Sequence, residues 1–210
     1  MRISDKVRYV NAEGLGVVLD LRTARYLVLD DRATLLFEHL TAGRSVDAPA
    51  DVILRFANRC RDLGWLYDAE HERTLSSRSY RPAKPTRGPA FIEAVISLLW
   101  AKRALADGFA SAYERLPTEQ RRIGATSIEQ LLRAFLRAET LVTFDSQPDD
   151  CLPRSIALYR LLVRRGLHVR HIIGVRRVPF AAHAWVEYEG RPLLDHRVKG
   201  FLPLSVVEPW

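Results

Sequence analysis

Three side chains far apart in the sequence have the types that cysteine catalysis needs. Cys151 opens a run that predicts a helix start, Cys151-Leu152-Pro153-Arg154-Ser155-Ile156-Ala157-Leu158. The free N–H groups and partial positive charge of a helix N-terminus stabilise a thiolate. With His183 and Asp195 downstream, the chain has a nucleophile, a base and a group to orient the base. If the three meet in space, the chain is a cysteine hydrolase or an acyl-transfer enzyme.

The segment that carries His183 and Asp195 predicts an antiparallel hairpin. Tyr188-Glu189-Gly190 suits a three-residue loop, because glycine takes the left-handed conformation at its third position. In that register His183 lies directly opposite Asp195, and directly opposed side chains share one face of the sheet. The carboxylate then holds one imidazole nitrogen and leaves the other for the thiol.

Other polar residues near these motifs favour structural roles. We expect His168 and His171 to be surface or core residues, because no cluster at zinc spacing accompanies them. His196 is predicted to face away from His183. The remaining expectations are Asp149 and Asp150 as helix caps, Gln147 as an oxyanion contact, and Cys60 as a core residue. The sequence predicts no metal site and no cofactor.

Charge and cysteine content restrict the class of protein. The 210 residues carry a net charge of +7, yet residues 1–70 hold 10 Lys and Arg against 11 Asp and Glu. Two cysteines do not make a disulfide framework, and the N-terminus has no apolar signal region. The most apolar helix, Phe91 to Leu105, is too short and too charged to span a membrane. We therefore expect a cytoplasmic protein with reduced thiols and no membrane association.

The pattern of elements predicts an α+β chain with two domains. Residues 1–71 show strands at Lys6–Asn11, Gly16–Leu21 and Arg25–Asp30, then helices at Ala33–Leu40 and from Asp47 or Ala48 to Leu63, an order typical of a small winged-helix-like domain. Residues 72–90, rich in Pro, Ser and basic residues, predict a linker. Residues 91–210 form the second domain, with helices at Phe91–Phe109, Ser127–Phe144 and Cys151–Gly166. Strands follow at Val169–Val175, His183–Tyr188 and Pro192–Asp195.

The C-terminal motifs in combination resemble the leader peptidases of lasso-peptide biosynthesis. The motifs are the Cys151 run, Ile173-Gly174-Val175, Ala182-His183-Ala184-Trp185-Val186-Glu187 and Asp195. The resemblance implies a papain-like, transglutaminase-like domain in which Cys151 attacks the leader–core junction of a ribosomal precursor peptide. His183 is then the base and Asp195 its orienter. Residues 1–71 resemble the precursor-recognition element of such pathways.

The same resemblance implies how the substrate binds. The leader would add as a strand beside Arg25–Asp30 and lie against the second helix. The implied leader-binding residues are Arg25, Tyr26, Leu27, Val28, Leu29, Asp30, Val52, Arg55, Phe56, Arg59 and Leu63. The implied partner is a lasso cyclase of the asparagine-synthetase type. Gly14-Leu15-Gly16 is no phosphate-binding loop, so any nucleotide dependence would come from that partner.

Three other functions use the same features. A DNA-binding regulator with a winged helix is disfavoured by the charge of residues 1–70, because phosphate contacts dominate such binding, and we expect no nucleic-acid partner. A peptide-binding adaptor would not need the Cys151, His183 and Asp195 set. A transglutaminase-type acyltransferase would use that set unchanged, since water and amines compete for one thioester.

Overall fold

The chain forms two compact units, described separately below. The computed structural model describes residues 1–68, 89–117, 127–142 and 151–209. Residues 1–68 belong to the first unit and the rest to the second, except for the turn Arg177–Pro179, which groups with the first. Of the predicted linker, residues 72–88 lie outside the described residues. Ala90 is the first residue of a helix, so a linker extending to residue 90 is wrong.

Strand order in the first unit follows from two short turns. Its described elements are β1 (Arg2–Ile3), β2 (Val7–Ala12), β3 (Leu15–Asp20), β4 (Arg25–Leu29), α1 (Asp31–Ala42), α2 (Ala50–Asp62) and β5 (Leu66–Tyr67). Glu13 and Gly14 both have positive φ, as a tight two-residue hairpin requires. The meander β2-β3-β4 is antiparallel, and β1 pairs with β5 separately. β4 therefore lies at the edge of its sheet.

The first helix extends two residues beyond the predicted Ala33–Leu40 at each end. The Asp30 carboxylate accepts a hydrogen bond from Ala33 N at 2.7 Å, and Gly43 ends the helix at φ 68°. The amphipathic pattern turns Phe37, which is fully buried, towards β3. The core of this unit is a cluster of Val7, Val18, Leu29, Phe37, Cys60, Trp65 and Leu66. The predicted core position of Cys60 is confirmed, and burial raises the pKa of its thiol to about 11.

The second unit places helices against one sheet. Its described elements are α3 (Ala90–Ala106), α4 (Phe109–Glu114), α5 (Ile128–Val142), α6 (Cys151–Arg164), β6 (Val169–Arg176), β7 (Ala181–Tyr188), β8 (Arg191–Pro192) and β9 (Leu202–Val207). The prediction of one helix through Phe109 is wrong. Gly108, at φ 116°, breaks the helix, and Phe109 opens a new one.

The helix that carries Cys151 is the central element of this unit. The antiparallel sheet has the order β8-β7-β6-β9. α6 packs on β6, β7 and α3. Seven of its eight residues from Ile156 to Val163 are therefore buried. A helix buried on most of its circumference has little freedom to rotate or slide. Its end is also fixed, since Gly166 takes the left-handed conformation at φ 79°. Packing therefore sets where the first turn of α6 lies.

Within the described ranges, no helix combines the length and apolar character that crossing a bilayer requires.

Candidate active site

Cys151 lies half-buried at the first residue of α6, facing β7. The backbone amide of Ala184, on β7, is within hydrogen-bonding reach of the thiol and favours its anion. Arg197 and Asp195 are close enough to affect the thiol electrostatically, the first favouring the anion and the second opposing it. The fold thus brings Cys151 beside the strand that carries His183 and beside Asp195.

His183 and Asp195 form a buried pair. His183 Nε2 donates to Asp195 Oδ2 at 2.6 Å. Asp195 Oδ1 accepts from the backbone N of Arg197 at 2.9 Å and from Arg197 Nε at 3.4 Å. Because Nε2 is engaged, Nδ1 is the ring nitrogen left to exchange a proton with a thiol. The arrangement orients the imidazole in one tautomer, as the base of a nucleophile requires.

The two partners meet by a different route from the one the hairpin predicts. Tyr188 pairs with Arg191, and the loop is the two residues Glu189 and Gly190, both with positive φ. This tighter turn matches the twist of the strands and shifts the register by one residue. Continued pairing would place His196 opposite His183.

The strand stops before that pairing is reached. Leu193 N still donates to Val186 O, but Leu194 takes a left-handed φ of 55° and turns the chain. Asp195 then reaches His183 from an irregular segment. The predicted three-residue loop is wrong, because the loop has two residues and both adopt positive φ. The predicted strand Pro192–Asp195 is wrong, because the chain turns at Leu194. The predicted contact between His183 and Asp195 nevertheless forms.

Burial and hydrogen bonding together set the ionisation of the site. It raises the pKa of the Cys151 thiol, and the Ala184 amide and the Arg197 charge offset only part of that effect. Asp195 is also buried, which by itself raises its pKa. The Arg197 amide and the hydrogen bond from His183 outweigh burial and lower it. Asp195 therefore stays ionised as a partner for an imidazolium, while the thiol needs a base to form its anion.

Aromatic rings enclose His183 on the face of the sheet. The ring of Trp185 stacks at 6.1 Å between centroids, and that of Phe201 lies at 5.5 Å. Trp185 Nε1 donates to Glu187 at 2.9 Å, which satisfies the indole N–H. The Trp185 ring lies over Gly174, where a Cβ would come within 2.6 Å of it and 2.9 Å of the Leu202 carbonyl. The Trp185 ring therefore fills the space left by the missing side chain of Gly174.

A neutral histidine supports the first turn of α6. His171 is fully buried on β6, and burial lowers its pKa to about 3. The Ser155 hydroxyl donates to Leu152 O at 3.0 Å and accepts from His171 Nε2 at 3.0 Å. These bonds attach the turn that begins at Cys151 to the sheet. The expected core role of His171 is confirmed, and His168 is exposed.

The predicted leader-binding residues lie on β4 and α2 of the first unit. A groove of about 380 Å³ contains four of them, Asp30, Val52, Arg55 and Phe56, together with Arg32, Ala33 and Leu36 of α1. Arg59 is exposed and Leu63 ends α2, both outside the groove lining. The five predicted residues from Arg25 to Leu29 form β4, whose Leu27 and Val28 are exposed. Their roles stay predictions.

Several contacts of the site were not predicted from the sequence. Arg197 donates to Asp195 in a local turn two residues on, a pattern that aspartate favours and that the sequence contains. The contact of Arg154 with the Leu194 carbonyl and that of the Ala184 amide with Cys151 depend on how the helices and strands pack. Gln147, Asp149 and Asp150 lie outside the described residues. Among described residues, no group of His, Cys, Asp or Glu could hold a metal ion.

Comparisons with known proteins give a family match and a partial sequence relative. A model of the transglutaminase-like superfamily matches residues 90–206, more than half of the chain. The chain belongs to the transglutaminase-like superfamily. It is also similar to the microcin J25-processing protein McjB of Escherichia coli, with 46% identity over 46 residues. That alignment spans 22% of this chain and 22% of the relative. No solved structure gives a significant match.

We expect the reactivity of Cys151 to depend on His183. Because burial raises the pKa of the thiol, His183→Ala should slow alkylation of Cys151 by iodoacetamide at pH 7 by at least about tenfold. Peptide mapping by mass spectrometry would assign the alkylated cysteine. His168→Ala, at an exposed position, is the control and should react like the wild type. Equal rates for the two variants would contradict a thiol–imidazole pair.

We expect Gly174→Ala to disturb the site. The added methyl would lie 2.6 Å from the Trp185 ring, which is stacked on His183, and 2.9 Å from the Leu202 carbonyl, so both the ring and the β9 backbone must shift. Small misplacements of catalytic groups cost up to about 100-fold in rate, so alkylation of Cys151 should slow by about 10- to 100-fold.

Gly43→Ala provides the matched control for that substitution. Gly43 has a left-handed φ but open space around it, so the change strains the end of α1 and leaves the site untouched. A Gly174→Ala protein that is alkylated at the wild-type rate would show that Trp185 does not position His183.

Proposed function

We propose that the chain is a cysteine endopeptidase that removes the leader from a ribosomally made lasso precursor peptide. The observation that carries the proposal is the buried 2.6 Å hydrogen bond between His183 and Asp195, beside a thiol at the start of a packed helix. Membership of the transglutaminase-like superfamily supports it, because triads of this kind perform acyl transfer. The partial similarity to a protein named for processing microcin J25 supports the substrate class.

The proposed mechanism assigns one role to each residue. Cys151 Sγ gives its proton to His183 and attacks the carbonyl carbon at the leader–core junction. The tetrahedral intermediate collapses as His183 returns the proton to the leaving nitrogen, which frees the core with its α-amine. Water then attacks the leader thioester with His183 as base, the C–S bond breaks, and the leader leaves with a free carboxylate while the Cys151 sulfur regains its proton from His183. Asp195 stays ionised and stabilises the imidazolium throughout.

We propose that the first unit, a winged-helix-like module, holds the leader. β4 is an edge strand, and no described strand pairs with its outer side, so a peptide can add to it through backbone hydrogen bonds. The groove beside α1 and α2 presents apolar side chains between two arginines and one aspartate. This composition suits a leader with an apolar anchor and acidic neighbours. A tethered leader raises the local concentration of the scissile bond.

The proposed partners follow from the same reaction. The precursor peptide is the substrate, and an asparagine-synthetase-like cyclase would consume the freed core amine in forming a macrolactam. The protein is proposed to work in the cytoplasm without a cofactor of its own.

We expect the purified protein to cut a lasso precursor peptide into free leader and core. Mass spectrometry of reactions with and without cyclase would show both fragments for the wild type and neither for Cys151→Ala, because the other cysteine, Cys60, is buried in the core of the first unit. The exposed substitution His168→Ala serves as the matched control and should preserve cleavage.

The same reaction separates the alternatives. Amide products that form with an added primary amine, at the expense of hydrolysis, would indicate a transglutaminase-type acyltransferase. Leader binding without cleavage, with or without cyclase, would indicate a peptide-binding adaptor.

We expect Val52→Asp to weaken leader binding at least about tenfold. The substitution replaces an apolar contact with a carboxylate, which competes with the leader for the groove arginines and repels the acidic residues proposed for the leader. Fluorescence anisotropy of a labelled leader on the Cys151→Ala protein measures the affinity without cleavage. Leu54→Asp, on the same helix but exposed and outside the groove, is the matched control. Equal affinities for the two variants would exclude this groove as the leader site.

A further inference from the structure

The position of Asp195 is not fixed by the sheet. The pairing of β7 with the returning chain ends at Leu193, and Leu194 turns the backbone with a positive φ that is uncommon for a non-glycine residue. Asp195 accepts two bonds from Arg197, but both come from the same short segment. Something outside that segment must hold it against His183, because a carboxylate on a free loop would not orient a ring.

Arg154 makes that external contact. Its Nη1 donates to the carbonyl oxygen of Leu194 at 3.1 Å. Its other two contacts go to Glu139 on α5, with Nε at 2.6 Å from Oε1 and Nη2 at 3.3 Å from Oε2. The guanidinium fork suits a carboxylate held in this two-point geometry. Both side chains are largely buried, at 28% and 19% exposure, so solvent screens the pair only in part.

This contact joins the nucleophile's helix to the segment that carries the carboxylate. Arg154 lies three residues after Cys151, in the first turn of α6. The same turn therefore presents the thiol to β7 and holds the backbone that carries Asp195. Glu139 fixes the guanidinium from a second helix, which leaves Nη1 directed at Leu194 rather than at solvent.

We propose that Arg154, oriented by Glu139, is a positioning residue that holds Asp195 in hydrogen-bonding contact with His183. The inference rests on the proposed catalytic role of Cys151, His183 and Asp195. Arg154 itself touches neither the thiol nor the imidazole, and it acts through the backbone of Leu194. Loss of this contact loosens Asp195, so the ring of His183 is less well oriented to take the proton of Cys151, and the thiolate forms at higher pH.

A second ion pair, beside the other end of α6, gives a matched control. Arg165, just past the end of α6, donates to Glu93 of α3 at 2.6 Å, and both side chains are more buried than those of the first pair. Arg165→Met therefore removes a comparable interhelical ion pair at the other end of α6. It reports how far loss of packing and charge alone changes the protein.

The test is the pH dependence of Cys151 alkylation by iodoacetamide on the full chain, followed by mass spectrometry. Arg154→Met, which keeps an apolar stem but has no donor, should raise the pH of half-maximal rate by roughly 1 unit. Arg165→Met should lower the melting temperature and leave that pH unchanged. Glu139→Gln, which keeps an acceptor for Arg154, should produce a smaller shift than Arg154→Met.

A double-mutant comparison separates positioning from general destabilisation. If Arg154 acts only through Asp195, then Arg154→Met adds no further shift to an Asp195→Ala protein. Additive shifts would overturn the proposal, and so would a wild-type pH profile for Arg154→Met. Both results leave the proposed function intact. If His183→Ala has the same alkylation profile as the wild type, the catalytic assignment itself fails, which is a distinguishable result.

Discussion

The packing of α6 is the constraint on which the site depends. The helix is buried against β6, β7 and α3 over most of its circumference, so its first residue has one available position. That position is beside the Ala184 amide, one residue from His183 along β7. Side-chain hydrogen bonds reinforce it, since Ser155 and neutral His171 attach the first turn to the sheet. Apolar packing therefore fixes the position of α6, and the hydrogen bonds of Ser155 hold its first turn, which carries Cys151, against the sheet.

Burial also imposes a cost on the chemistry. It raises the pKa of the Cys151 thiol, and the helix N-terminus does not reverse this. Beside the thiol, His183 is held by an Asp195 that stays ionised despite its own burial. The donors around that carboxylate, His183 and the Arg197 amide, outweigh the effect of burial on its pKa.

The first unit and the second illustrate two uses of a sheet. In the first, β4 is left as an edge with exposed Leu27 and Val28, next to an apolar groove with charged ends. In the second, β6 and β7 are covered by α6, and their alternate side chains hold His183 and its aromatic wall. An exposed edge suits recognition of an extended peptide, whereas a covered strand suits fixed geometry.

The sequence by itself predicted many local elements and named candidate reactive groups. Turn glycines gave the C-terminal ends of α1 and α6, and hydrophobic patterning gave β2, β3, β4, β6 and β7, because these signals act between near neighbours, whereas β9 was not predicted. The contact of His183 with Asp195 was predicted correctly, but from the wrong register. Only the tertiary structure decided that Leu194 turns the chain, that Trp185 fills the space above Gly174, and that Arg154 reaches the Leu194 carbonyl. The contacts of Trp185 and Arg154 join separate elements through packing, and the Arg154 contact spans 40 positions of the sequence. No local pattern encodes the direction in which a packed side chain points.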